Sequence, residues 1–123
     1  MNDFKLNEND LIEREHLPIM LIMNMVSEER FLSVLEALSD GHGFGEECGA
    51  CTLPDDLDDF DRANGENLDG AEFGLYSGGA VIIDYKTLYF YLKIICDRYL
   101  KENVIQSDIV IAYLEKFRSR FLI

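Results

Sequence analysis

Apolar side chains recur along the chain at spacings that predict four helices and one β-hairpin. Residues 17–26 form a compact apolar run in which Leu and Met, both strong helix formers, outnumber the β-branched residues. We therefore interpret this run as a short buried helix rather than a strand. Ser27 predicts the N-cap of a second helix that ends at Gly41. The apolar positions of that helix fall at helical spacing: Phe31, Val34, Leu35 and Leu38.

The second half of the chain predicts the hairpin and the two remaining helices. In residues 71–84, two runs with aromatic and β-branched residues flank a Gly78-Gly79 turn. Residues 85–102 carry a wide apolar face, which indicates a long central core helix capped by Asp84. Ser107 predicts the cap of a last helix with an inward face of Val110, Ile111, Leu114, Phe117 and Phe121. The order predicts an α+β fold in which a small antiparallel β-sheet, hairpin 71–84, packs with about four helices.

Two segments lack a clear pattern of this kind. Residues 1–16 are polar and are expected to fray, with a helical lead-in over residues 9–16. Residues 41–70 hold most of the glycines, and we interpret them as a long functional loop with a short strand near residues 50–53. At 123 residues, the chain is expected to form a single domain, 1–123.

Acidic residues are concentrated in that long loop. The chain has 24 acidic and 11 basic residues, a net charge of −13. Residues 46–72 carry ten acidic residues and one basic residue, Arg62, so most of the charge lies in one stretch. Binding to nucleic acid or to an anionic membrane is disfavoured, because phosphate binding needs Lys and Arg. The charge favours a strongly basic protein partner.

Other features of the sequence predict a cytoplasmic protein. The N-terminus is polar and acidic, unlike a signal peptide, and the longest apolar run, residues 19–23, is far shorter than a membrane span. Three cysteines, an odd number, suit a reducing compartment.

The Cys48-x-x-Cys51 pair is the main candidate for chemistry. A redox dithiol needs a stabilised thiolate, whereas the neighbouring carboxylates raise thiol pKa values. A zinc site needs two further ligands, and the chain offers His16, His42 and Cys96 without a second paired spacing. A metal- or redox-dependent regulator or enzyme built on this pair stays an alternative. The favoured expectation is no catalytic residue, no metal and no cofactor.

The chain carries short motifs rich in Gly and aromatic residues. They are Gly-x-Gly-Phe-Gly at 41–45, a cysteine-bearing segment, the acidic loop, Gly-x-Glu-Phe-x-Leu-Tyr at 70–76, Val-Ile-Ile-x-Tyr at 81–85 and Tyr-x-Tyr-Leu at 89–92. Over residues 17–99 the sequence resembles the immunity proteins of bacterial contact-dependent growth inhibition systems, and is similar to those that neutralise ribonuclease toxins. The resemblance implies a non-enzymatic monomer that binds the C-terminal nuclease domain of a cognate toxin as a 1:1 heterodimer.

The expected partner-binding residues combine the acids of the loop with aromatic anchors. Rim charges alone rarely supply nanomolar affinity, so buried aromatic contacts are expected among the acids. Phe73 is a further candidate for an aromatic anchor. The predicted set is Asp55, Asp56, Asp58, Asp59, Phe60, Asp61, Glu66, Asp69, Glu72, Phe44 and Tyr76. A general acidic protein-interaction module is a further alternative.

Overall fold

The computed structural model describes residues 4–63, 65 and 68–123. In this part of the chain, five α-helices and four strands form an α+β fold, as the sequence predicts. The elements are α1 (Leu17–Met23), α2 (Phe31–Ser39), β1 (Phe44–Gly45), β2 (Gly49–Thr52), α3 (Asp59–Ala63), β3 (Ala71–Leu75), β4 (Ala80–Ile83), α4 (Tyr85–Glu102) and α5 (Ser107–Phe121).

The four strands form one antiparallel sheet in the order β1-β2-β3-β4. The predicted hairpin is β3–β4, and the short strand expected near residues 50–53 is β2. The interpretation of residues 41–70 as a long loop is wrong for its first part, because β1 and β2 lie there. These strands are two and four residues long, and Gly, Ala and Cys give them little β-propensity. Gly43, which precedes β1, lies so close to β2 that a Cβ atom on it would be 1.8 Å from the Cys51 carbonyl oxygen.

The sheet has one covered face and one open face. Helix α1 packs against β2, β3 and β4, and the side chains buried on this inner face include Cys51, Phe73 and Ile83. Strand alternation and register place Thr52, Glu72 and Ile82 in one row on the outer face. Ile82 is 55% exposed there.

Helix α4 is the central core helix that the sequence predicts. Asp84 caps it, since its Oδ1 accepts a hydrogen bond of 2.7 Å from the Thr87 amide. Its buried residues are Leu88, Tyr91, Leu92, Ile95, Cys96 and Tyr99. Helix α5 packs against α2 and α4.

Two details of the helices differ from the expectation. Ile111 is 53% exposed rather than inward, whereas Val110, Leu114 and Phe117 are buried as predicted. Ser107 is the first residue of α5 rather than its cap, and its hydroxyl donates to the Val104 carbonyl at 2.6 Å. A 3-10 turn, Glu28–Arg30, follows Ser27 and leads into α2.

The N-terminal segment is held to the core, so the expectation that residues 1–16 fray is wrong for the described residues 4–16. Phe4 and Leu6 are each 3% exposed. The Arg98 guanidinium binds both carboxylate oxygens of Asp10, at 2.7 and 2.8 Å. This hydrogen bonding lowers the pKa of Asp10. The sequence alone does not predict this anchoring, because Asp10 and Arg98 lie about 90 residues apart along the chain.

Tyr91 joins the same N-terminal segment to α4. Its side chain is fully buried, and its hydroxyl oxygen accepts a hydrogen bond of 2.9 Å from the Ile12 amide. The hydroxyl also lies 2.7 Å from Nδ1 of the buried His16. One phenol group therefore satisfies two polar groups of the N-terminal segment.

Replacing Tyr91 with Phe is expected to lower the free energy of unfolding by about 1–3 kcal/mol, because the Ile12 amide and the His16 ring lose their shared partner. Urea unfolding measures this loss. Tyr89→Phe removes a hydroxyl from a half-buried ring on the same helix, and should cost about 0.5 kcal/mol or less. Equal stability losses in the two variants would contradict the role given to Tyr91.

Candidate partner-binding site

Residues 53–70, here called the acidic segment, connect β2 to β3. One of its carboxylates, that of Asp56, bonds to the protein's own backbone. Asp56 Oδ2 accepts hydrogen bonds of 2.8 Å from the amides of Gly43 and Leu53. Its Oδ1 lies 3.4 Å from Nδ1 of His42. Asp56 therefore ties the start of the acidic segment to the chain that enters β1.

Asp58 and Asp61 form a reciprocal pair at the start of α3. The Asp61 amide donates to Asp58 Oδ1 at 2.8 Å, and the Asp58 amide donates to Asp61 Oδ2 at 3.2 Å. The pair satisfies amides that a helix start leaves without partners inside the helix. Within this short helix Asp59 and Phe60 are exposed, Phe60 to 75%.

Basic side chains of α5 lie against the acidic part of the molecule. Arg120 Nε donates to the Ser39 carbonyl at 3.2 Å, and its NH1 is 3.8 Å from Asp55 Oδ2. Lys116 forms an ion pair with Asp40. The charge is polarised along the sequence, but the fold brings the basic C-terminal helix into contact with the acidic segment.

Asp55 and Asp69 both lie near Tyr85, the first residue of α4. Burial raises the pKa of the Tyr85 hydroxyl, and the charges of Asp69 and Asp55 raise it further. Gly70 donates a backbone hydrogen bond to the same hydroxyl. The two ends of the acidic segment therefore both lie near the C-terminal end of β4, and Asp55 and Asp69 are exposed.

Glu72 and Tyr76 lie on the outer face of the sheet, at opposite ends of β3. Residues 72, 74 and 76 point to the same face, and four residues of strand span about 14 Å. Tyr76 is 70% exposed, and its hydroxyl lies 3.9 Å from the place that a Cβ atom would take on Gly45. Tyr76 is thus separate from the acidic segment but shares a face with Glu72.

The other predicted residues have different positions. Phe73 is fully buried in the core and cannot contact a partner. Phe44 is half-buried and packs against that core. Glu66 lies outside the described residues.

The cysteines do not form a reactive pair. Cys51 is buried in β2, and burial raises the pKa of its thiol. Reactive cysteines have a lowered thiol pKa, so this environment disfavours redox chemistry. Cys48 donates from Sγ to the Leu21 carbonyl at 3.8 Å. Among the described residues, no three His, Cys, Asp or Glu side chains are grouped to hold a metal ion.

A protein-family model described as CDI immunity protein, where CDI stands for contact-dependent growth inhibition, matches residues 8–114. The chain belongs to this family. The match covers both halves of the fold, from the segment held by Arg98 to α5. Comparison with the curated proteins gives no significant match.

An immunity protein of this kind neutralises a toxin by binding it, so exposed groups on this CDI immunity protein are of more interest than buried chemistry. In the described part of the chain, no helix is long and apolar enough to cross a membrane. The resemblance read from the Gly- and aromatic-rich motifs is confirmed by the family match.

Sequence reasoning missed Ile82 as a candidate contact residue. It lies in the run Val81-Ile82-Ile83, where three consecutive apolar residues conceal which one faces outward. The structure shows Ile83 buried, Val81 half-buried and Ile82 exposed. Side chains of a strand alternate between its two faces, so the three apolar residues cannot all face the core. No polar residue in the run marks which of them faces outward.

Replacing Asp56 with Ala is expected to lower the free energy of unfolding by about 1.5–3 kcal/mol, because two amides lose a charged acceptor. Urea unfolding measures the loss, and amide hydrogen exchange should show faster exchange at Gly43 and Leu53.

Asp56→Asn keeps one oxygen for both amides and is expected to cost less. Asp59→Ala, an exposed neighbour, serves as the control and should change stability by about 0.5 kcal/mol or less. An Asp56→Ala variant as stable as the Asp59→Ala variant would show that Asp56 does not anchor the segment.

Proposed function

We propose that this CDI immunity protein neutralises a basic nuclease toxin domain by covering the surface with which the toxin holds nucleic acid. The observation that carries the proposal is the group of exposed carboxylates on the acidic segment, Asp55, Asp59 and Asp69. A nuclease needs a basic cleft to bind phosphates. A negatively charged surface of this kind is complementary to such a cleft.

The internal hydrogen bonds of the acidic segment separate its carboxylates into two groups. Asp56 holds the segment to the sheet, and Asp58 and Asp61 hold the start of α3. Their role in binding is therefore to keep the segment in shape. Asp55, Asp59 and Asp69 are the acids that we assign to direct contact with the toxin, with Glu72 on the neighbouring sheet face.

Aromatic side chains supply the contact area that surface charge lacks. Phe60 and Tyr76 are both large and exposed. Aromatic residues are enriched among the side chains that dominate binding energy at interfaces. We assign Phe60 to the acidic part of the interface and Tyr76 to the opposite end of the sheet, whereas Phe44 contributes through the core that supports them.

The remaining features of the proposal follow from this mode of action. The protein has no catalysis of its own, acts in the cytoplasm and binds the toxin domain as a 1:1 heterodimer. A metal- or redox-dependent activity gains no support from Cys51, whose thiol is buried with a raised pKa. A general acidic interaction module would use the same carboxylates, but the family match favours a dedicated toxin partner.

Neutralising three exposed acids together, as Asp55→Asn, Asp59→Asn and Asp69→Asn, is expected to weaken toxin binding by roughly 100-fold or more. Each loss leaves a cation of the toxin without its partner in the interface. The fold should be retained, since Asp56 and the Asp58–Asp61 pair stay in place. Calorimetry with the purified cognate toxin domain measures the change.

The matched control removes the same charge elsewhere, as Glu102→Gln, Asp108→Asn and Glu115→Gln on exposed positions of α4 and α5. These changes should leave the affinity within about threefold, because distant surface charges are screened. Equal weakening in both triple variants would mean that net charge, and not the acidic segment, determines binding.

Salt separates the steering role of the acids from their contacts. Raising ionic strength from ~0.01 M to ~0.5 M shortens the Debye length from about 30 Å to about 4 Å. We expect the association rate to fall about tenfold or more, with a much smaller change in the dissociation rate. Stopped-flow mixing with the same toxin domain measures both rates, and an association rate indifferent to salt would reject steering.

A further inference from the structure

Strand β4 forms one edge of the sheet, and its outward main-chain groups can be identified from the register. The Leu75 amide donates to the Gly79 carbonyl at 2.9 Å, so this pair is a hydrogen-bonded position of the β3–β4 ladder. Hydrogen-bonded and non-hydrogen-bonded positions alternate along antiparallel strands. The residues of β4 that bond to β3 are therefore Val81 and Ile83. The N–H and C=O groups of Ala80 and Ile82 therefore point away from the sheet.

The pairing on the other side of β3 supports this assignment. The Tyr76 amide donates to the Cys48 carbonyl at 2.9 Å, so Glu72, Gly74 and Tyr76 bond to β2. The alternate residues Ala71, Phe73 and Leu75 are left for β4. Both pairings therefore assign the same residues of β3 to the hydrogen bonds with β4. In the described part of the chain, no other strand or side chain bonds to the outward groups of Ala80 and Ile82.

The two edges of the sheet differ. At the β1 edge, the Gly43 amide is occupied by the Asp56 carboxylate, and the strand is only two residues long. At the β4 edge, both Ala80 and Ile82 are exposed, and the strand contains no Lys or Pro. Lys and Pro are common devices that block pairing at an edge. The fold therefore closes one edge and leaves the other open to an extended chain.

The charges around β4 select among possible occupants. Its C-terminal end reaches the exposed Asp55 and Asp69 around Tyr85, and Glu72 lies opposite Ile82 on the same face. A second copy of this chain, with a net charge of −13, would bring a like-charged surface to this edge. A basic protein brings the opposite charge. The edge also runs from the Tyr76 turn to the acidic segment, both of which we assign to the toxin interface.

We propose that the toxin domain adds an extended segment to the β4 edge, so that its main chain pairs with Ala80 and Ile82 as a fifth strand of the sheet. The proposal rests on the proposed function and specifies how the toxin is held. Main-chain pairing of this kind supplies affinity without demanding particular side chains at each position. Ile82 contributes its exposed side chain to the same contact.

The test is Ile82→Pro, which removes the outward N–H but no hydrogen bond to β3. Proline is tolerated at edge positions of this type, and Val81 already has the extended backbone that a following proline requires. The variant is expected to bind the purified cognate toxin domain about tenfold or more weakly. Ile82→Ala keeps the N–H but removes more of the side chain than Ile82→Pro does. It should nevertheless lose clearly less affinity than Ile82→Pro.

Amide hydrogen exchange on the unmodified protein gives a readout that needs no variant to fold. In the free protein, Val81 and Ile83 should exchange slowly, and Ala80 and Ile82 quickly. In the toxin complex, Ala80 and Ile82 should become slow by tenfold or more. Unchanged exchange at these two amides, or equal weakening by Ile82→Pro and Ile82→Ala, would overturn the proposal.

Three further outcomes are distinguishable. If the toxin domain binds, and the acidic triple variant loses that binding while Ala80 and Ile82 stay unprotected, the proposed function stands and strand addition is wrong. If the toxin domain does not bind at all, the proposed function itself fails. Slow exchange at Ala80 and Ile82 in the free protein, together with a dimer in sedimentation, would assign the edge to a second copy and overturn the toxin as its occupant.

Discussion

The arrangement of the acidic surface depends on one carboxylate that bonds to the protein's own backbone, that of Asp56. Asp56 accepts amide hydrogen bonds from Gly43 and Leu53, one before β1 and one after β2. A segment with so many like charges repels itself and gains little from a core. The Asp56 bonds offset that repulsion locally, because a charged acceptor stabilises its donors more than a neutral one does. The same contact covers the β1 edge, so one interaction positions the acids and closes one side of the sheet.

Counter-charges elsewhere in the fold limit the cost of this surface without removing it. Arg120 lies near Asp55, Lys116 pairs with Asp40, and Arg30 pairs with Glu46, whose side chain is only 8% exposed. These pairs neutralise acids at the border of the acidic segment. Asp59 and Asp69 stay exposed. The fold thus keeps its uncompensated charge where a partner can reach it, which is the pattern that electrostatic steering requires.

The sequence predicts those elements whose signal is local. Helix α4 combines a cap at Asp84 with a wide apolar face, and the β3–β4 hairpin has a Gly-Gly turn, so both are confirmed in position. Strands β1 and β2 are short and rich in small residues, and only their pairing with each other and the pairing of β2 with β3 make them strands. Tyr91 and Asp10 take their roles from partners far away in sequence. Composition finds the acidic stretch, but cannot tell Asp56, which bonds inward, from Asp59, which faces solvent.

Strand β4 offers two different kinds of contact, charge at its C-terminal end and main-chain hydrogen bonds along its open edge. Charge acts over a Debye length of about 8 Å at physiological salt, so the acids beside Ile83 influence a toxin before it touches the sheet. Main-chain hydrogen bonds act only at about 3 Å and in one register. Charge alone would bring many basic proteins to this surface, and an open edge alone would accept many extended chains. In the complex that we propose, the charge restricts which molecules reach β4 and the open edge restricts how they are held, so the two together would select one toxin.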